Sequence, residues 1–150
     1  MLRSLHPLAG ILALGLIALF WLSSVLAEFS GSRPAILAVK TLILIGVAFL
    51  VPLLITAALT GNRMAGRRQS PEIAAKRARM KAMAAGGILI LVPAAIFLWL
   101  KARSGEFDAW FYTVQAVELL AGAVNLALGS MNARAGLAMR LARAKPAREA

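Results

Sequence analysis

Four apolar runs, at about residues 8–27, 35–59, 82–100 and 110–131, leave the chain few ways to fold. Each run is about 20 residues long, and as a helix that length crosses the hydrocarbon core of a bilayer. A backbone in lipid must satisfy its own polar groups, so such runs become helices. The hydrophobic share of the 150 residues, 61%, agrees, because soluble domains of this size rarely reach it. The links are short, which makes consecutive helices antiparallel neighbours. The expected fold is all-α: an integral-membrane, antiparallel four-helix transmembrane bundle forming one domain over residues 1–150.

The charges are distributed unevenly around these runs. The formal net charge of +11 would point to nucleic acid in a soluble protein. Here the cations flank apolar spans, so no nucleic-acid partner is expected. The expected partner is the bilayer itself, with its anionic headgroups. Arg63, Arg67, Arg68, Lys76, Arg77, Arg79 and Lys81 crowd the link 61–81 against the single acid Glu72. Arg134, Arg140, Arg143, Lys145 and Arg148 fill the tail 132–150, with Glu149. The other two links carry only Arg33, Lys101 and Arg103. The positive-inside rule then places the basic link and both termini in the cytoplasm, in agreement with an even number of spans, which puts both termini on one side.

Local signals mark the ends. Gly31 and Pro34 break the first link, and Thr60-Gly61-Asn62 reads as the stop of the second helix. Ser70-Pro71-Glu72 has the residues of a helix start: a capping hydroxyl, a proline for the first turn and an early acid. Pro52 and Pro93 lie inside spans. Gly86-Gly87 weakens the third helix, and its sharper bend is expected at Pro93. Trp110 and Tyr112 open the fourth span and Trp99 closes the third, as interfacial aromatics do. The tail has the content of an interfacial helix to about Ala144, ended by Pro146. Residues 1–27 also allow a different reading, a signal peptide cut before Glu28.

The fourth span carries the most informative pattern. Gln115, Glu118, Gly122, Asn125, Gly129 and Asn132 recur every three or four residues, so they share one helical face. That face must avoid lipid. Glu118 lies roughly 12 Å below the start of its helix and Lys40 roughly 8 Å below the start of the second. Glu28 ends the first span at the same side. Intramembrane ionisable groups need partners, so Lys40 is expected to pair with Glu118, with Glu28 as the second choice. The pair can hold two helices in register, carry a proton, or give way to a lysine that reaches outward to water. Gln115, Asn125 and the two glycines suit helix packing, or alternatively a ligand groove along the seam.

His6, the single histidine, is the candidate ligand for a haem, together with a methionine or with His6 of a second chain. No cofactor is expected, with haem or quinone as the alternative. Cysteine is absent, and no metal-ligand cluster, phosphate loop or nucleophile motif occurs. No catalytic residue is assigned.

HPLAG at 6–10, FWLSSVLAE at 20–28, VK at 39–40, KRARM at 76–80 and FDAWFYTVQAVELLAGAVNLAL at 107–128 together resemble an uncharacterised family of small bacterial four-span integral membrane proteins. The resemblance implies the bundle and a bacterial inner membrane, but no activity. The expected function is a non-enzymatic packing or accessory subunit, either self-associating as a homo-oligomer or bound to a membrane-protein partner. A proton-coupled small transporter using Glu118, or a redox subunit handling quinone or haem, are the alternatives.

Overall fold

The computed structural model describes residues 2–66 and 70–144. Arg67 and Arg68 of the basic link, and Lys145, Pro146, Arg148 and Glu149 of the tail, lie outside the described residues. Among the described residues five α-helices follow one another: α1 (Leu2–Ser30), α2 (Arg33–Ala65), α3 (Pro71–Gly86), α4 (Val92–Arg103) and α5 (Ala109–Ala144). A π-helical turn, Gly87–Leu91, joins α3 to α4 without a break. The result is four rods, each long and apolar enough to cross a membrane: Ser4–Ser30, Arg33–Met64, Pro71–Arg103 and Ala109–Leu141.

All four rods extend beyond the expected spans. The second does not stop at Thr60-Gly61-Asn62. It continues to Ala65 and is capped by Gly66, whose N–H donates to the Asn62 carbonyl at a φ of 54°. Only a residue without Cβ takes that conformation at no cost, which is why the stop falls at Gly66. Gly61, by contrast, stays helical with the His6 ring against it. The third rod starts as expected. Ser70 Oγ accepts from the Ile73 N–H at 3.4 Å, and Pro71 opens the helix.

The irregularity in the third rod precedes Pro93. The Val92 N–H reaches back five residues, to the Gly87 carbonyl. A proline offers no N–H to the carbonyl four residues earlier and its ring crowds that turn. Widening the turn ahead of it relieves both problems. The second rod remains α-helical through Pro52. The tail helix is not a separate element either, since α5 runs unbroken to Ala144.

At one end of the rods a cluster takes one or more residues from each: Ala27, Ile36, Leu98, Ala102 and Phe111. At the opposite end of α1, His6 meets Ala57 and Thr60 of α2. Between these ends α1 also packs on α5, with Trp21 facing Gly122 and Leu14 facing Gly129. Thr41 of α2 accepts from the Trp99 indole of α4 at 3.2 Å. Met83 and Lys76 of α3 lie against Gly129 and Gly136 of α5.

The sorting of residues is the reverse of a soluble core. The buried set is rich in small and polar residues: Ala9, Ala13, Ala57, Ala94, Ser24 and Asn125. Large apolar side chains such as Leu26, Phe49, Leu89 and Leu120 are exposed. Water would penalise this arrangement.

The α4–α5 link forms a polar knot with the last turn of α4. Asp108 Oδ1 accepts from the Phe111 N–H at 2.9 Å, and Lys101 Nζ reaches Asp108 at 2.7 Å and Glu106 at 2.6 Å. The Lys101 hydrogen bond first, and the Phe111 N–H second, hold the Asp108 carboxyl below the usual carboxylate range. A depressed folded value means the contribution is complete above the unfolded value of about 4 and is lost as pH falls through the folded one. The protection factors of the amides at the start of α5, exchange being taken relative to its intrinsic rate at each pH, are therefore expected to fall as pH drops below about 4. In Asp108→Asn that pH dependence should be absent.

Candidate functional site

The seam of α5 turns inward. Gln115, Glu118, Gly122, Asn125 and Asn132 are buried and Gly129 is half-buried. The spacing of three and four keeps them on one stripe, and each meets a different neighbour. Trp21 donates its indole N–H to the Leu119 carbonyl at 2.9 Å, beside Gly122. Asn125 faces Gly86, and Asn132 Nδ2 lies 3.5 Å from the Lys76 carbonyl.

Lys40 lies at the centre of the site and is 1% exposed. Its ammonium donates to Glu118 Oε2 at 2.5 Å and to Ser24 Oγ at 3.3 Å. Gln115 Nε2 donates to the same Glu118 oxygen at 3.1 Å. Three helices thus meet on one buried ion pair: Ser24 from α1, Lys40 from α2, and Gln115 and Glu118 from α5. An isolated charge here would be prohibitive, and the pair is tolerable because each member is also hydrogen-bonded to a neutral group. The favoured partner of Lys40 is therefore the one found.

Glu28 is close by but differently placed. It feels the charges of both Lys40 and Glu118. Its Oε1 is buried without a hydrogen-bond partner among the described residues, as is Gln115 Oε1. With Val25, Phe29 and Leu119, Glu28 lines a hollow of about 220 Å³.

His6 lies far along α1 from this cluster. Its Nδ1 is 3.0 Å from the Ala57 carbonyl oxygen, which can only accept, so Nδ1 carries the proton. Thr60 Oγ1 lies 3.3 Å from the same nitrogen. The histidine thus ties the start of α1 to the last turns of α2. Among the described residues no three His, Cys, Asp or Glu side chains converge as a metal site would need.

Two members of the site were not singled out by the sequence. Ser24 is one: a serine in an apolar run has no signal until its partner across the bundle is known. The Trp21–Leu119 contact is the other, since a backbone carbonyl carries no mark in a sequence. The chain matches no known family model, no curated protein and no solved structure.

Proposed function

We propose that the chain is an integral-membrane, antiparallel four-helix bundle that serves as a non-enzymatic packing or accessory subunit. The observation that carries the membrane setting is the inverted sorting of residues, with many large apolar side chains such as Leu26, Phe49 and Leu120 outside and alanine, serine and an ion pair prominent inside. Lipid is the medium in which that sorting is favourable. The accessory reading is supported by the hydrogen bonds of the pair. Lys40 and Glu118 bind each other, Ser24 and Gln115, and so act as a fastener between helices. The resemblance to small bacterial four-span proteins supports the bacterial inner membrane as the location.

The termini and the basic link face the cytoplasm in this reading, where Arg63, Lys76, Arg77, Arg79, Lys81, Arg134 and Arg140 meet anionic headgroups. The chain has no cysteine, so single labels are clean. Ser104→Cys should react with a membrane-impermeant maleimide on intact cells, and Ser70→Cys only after lysis. The opposite pattern would overturn the orientation.

Function itself is tested by gentle solubilisation of the native membrane. Either a homo-oligomer or a stoichiometric membrane-protein partner should co-migrate with the chain. A lone monomer after crosslinking in the intact membrane would sink the accessory role.

A further inference from the structure

Charge counting at the cluster, in which Lys40 and Glu118 are buried and Glu28 is half-buried, leaves a remainder. Glu28 and Glu118 each bring one negative charge and Lys40 one positive charge. The fully ionised cluster is therefore net negative by one, among helices whose outer faces are apolar. Among the described residues, the other charges at this end of the rods are engaged elsewhere. Arg33 of α2 lies over the Phe107 ring, Arg103 of α4 over the Trp99 ring, and Lys101 is held by Glu106 and Asp108. Hydrogen bonding shows the same imbalance. Glu118 Oε2 accepts two donors, whereas Glu28 Oε1 and Gln115 Oε1 are buried acceptors with none among the described residues. Gln115 is 3% exposed, so its bare oxygen is deep in the structure.

We propose that Glu28 is an exchangeable proton site, loaded through the hollow lined by Val25, Phe29 and Leu119, and that the Lys40–Glu118 pair sets its occupancy. One proton corrects both imbalances. A hydronium ion at the hollow passes H⁺ to the Glu28 carboxylate. An O–H bond forms, one water is released, and the cluster charge goes from −1 to zero. The new hydroxyl is also the donor that the cluster lacks. The proton resides on Glu28 and not on Glu118, because Glu118 already accepts from an ammonium and an amide, which stabilise its charged form. A metal cation fits less well, since it would sit beside the Lys40 ammonium. The inference uses the membrane setting proposed above and is independent of any partner.

Infrared difference spectroscopy of the purified full chain in lipid nanodiscs, followed through a pH titration, tests this. Buried protonated carboxyls give a C=O stretch that ionised ones lack. The native chain should show one such carboxyl near neutral pH. Glu28→Gln should remove the band because the site is gone. Glu118→Gln should also remove it, because Glu28 then pairs with Lys40 as an ion in a neutral cluster. Lys40→Met should raise the count to two. Glu28→Gln keeps the size and polarity of the side chain, so its fold is not at risk. A band that survives in Glu28→Gln, or in a folded Glu118→Gln, overturns the proposal, as does its absence from the native chain. Each readout is independent of the co-migration experiment, so either reading can fail alone.

Discussion

Replacing Lys40 by Met is expected to destabilise the bundle by about 3–5 kcal/mol at neutral pH. The methionine fills most of the lysine's volume, so packing is a minor part of the loss. The loss comes from leaving Glu118 buried without its cation, and Glu28 beside it. Protonating the carboxyls removes most of that penalty, so the difference from the native chain should shrink as pH is lowered. Removing both partners with apolar side chains, as in Lys40→Met with Glu118→Leu, should be far less harmful than the sum of the single changes. A buried pair replaced as a unit often leaves stability nearly unchanged, although breaking it is expensive. Steric-trap or denaturant unfolding of the four forms gives the coupling energy. Near-additive losses would mean that the pair is a contact without consequence.

The second large effect is expected at Gly122. A methyl group there would lie 2.9 Å from Trp21 Cδ1, closer than side chains approach one another. The indole cannot retreat freely, because its N–H donates to the Leu119 carbonyl. Gly→Ala inside a helix is normally favourable by roughly 0.5–1 kcal/mol, while overpacking costs typically 1–3 kcal/mol. The second term should win, so Gly122→Ala loses stability and shifts the fluorescence of Trp21. Gly15 on α1 has open space around its added Cβ, so Gly15→Ala should gain stability by about 0.5–1 kcal/mol. Equal effects at both positions would show that helix propensity and not the Trp21 contact governs Gly122.

What could be read from the sequence follows a simple physical division. The seam of α5 was visible because helical spacing is a one-dimensional property, and six polar or small residues kept to it over 18 positions. Lys40 and Glu118 were visible because a charge in an apolar run must find its opposite at equal depth, and depth can be counted along a helix. Helix ends were misplaced where a local stop signal competed with distant packing. Gly61 read as a terminator, yet it stays helical under the His6 ring, and the true cap needed the left-handed turn at Gly66. Ser24 and the Leu119 carbonyl could not be read, because their roles exist only once α1 lies beside its neighbours. The unequal positions of Glu28 and Glu118 were likewise hidden. Both are glutamates at one depth, and only the donors around them tell them apart.

The wide turn at Gly87–Leu91 acts as a phase shifter. One extra residue in a turn rotates everything after it by about 100° relative to an uninterrupted α-helix. Below the turn, α3 presents Met83 and Gly86 to α5; above it, α4 presents Trp99 to α2 and Leu98 to the core shared by all four rods. A single helix thereby serves two sets of neighbours whose directions do not line up. Rewinding the turn as regular α-helix at full length would swing Leu98 out of that core, whereas deleting one residue from it would restore an even winding and leave Leu98 in place. The angular register of the third rod is thus set by this turn, which absorbs one residue, while the rod's span across a bilayer tolerates several.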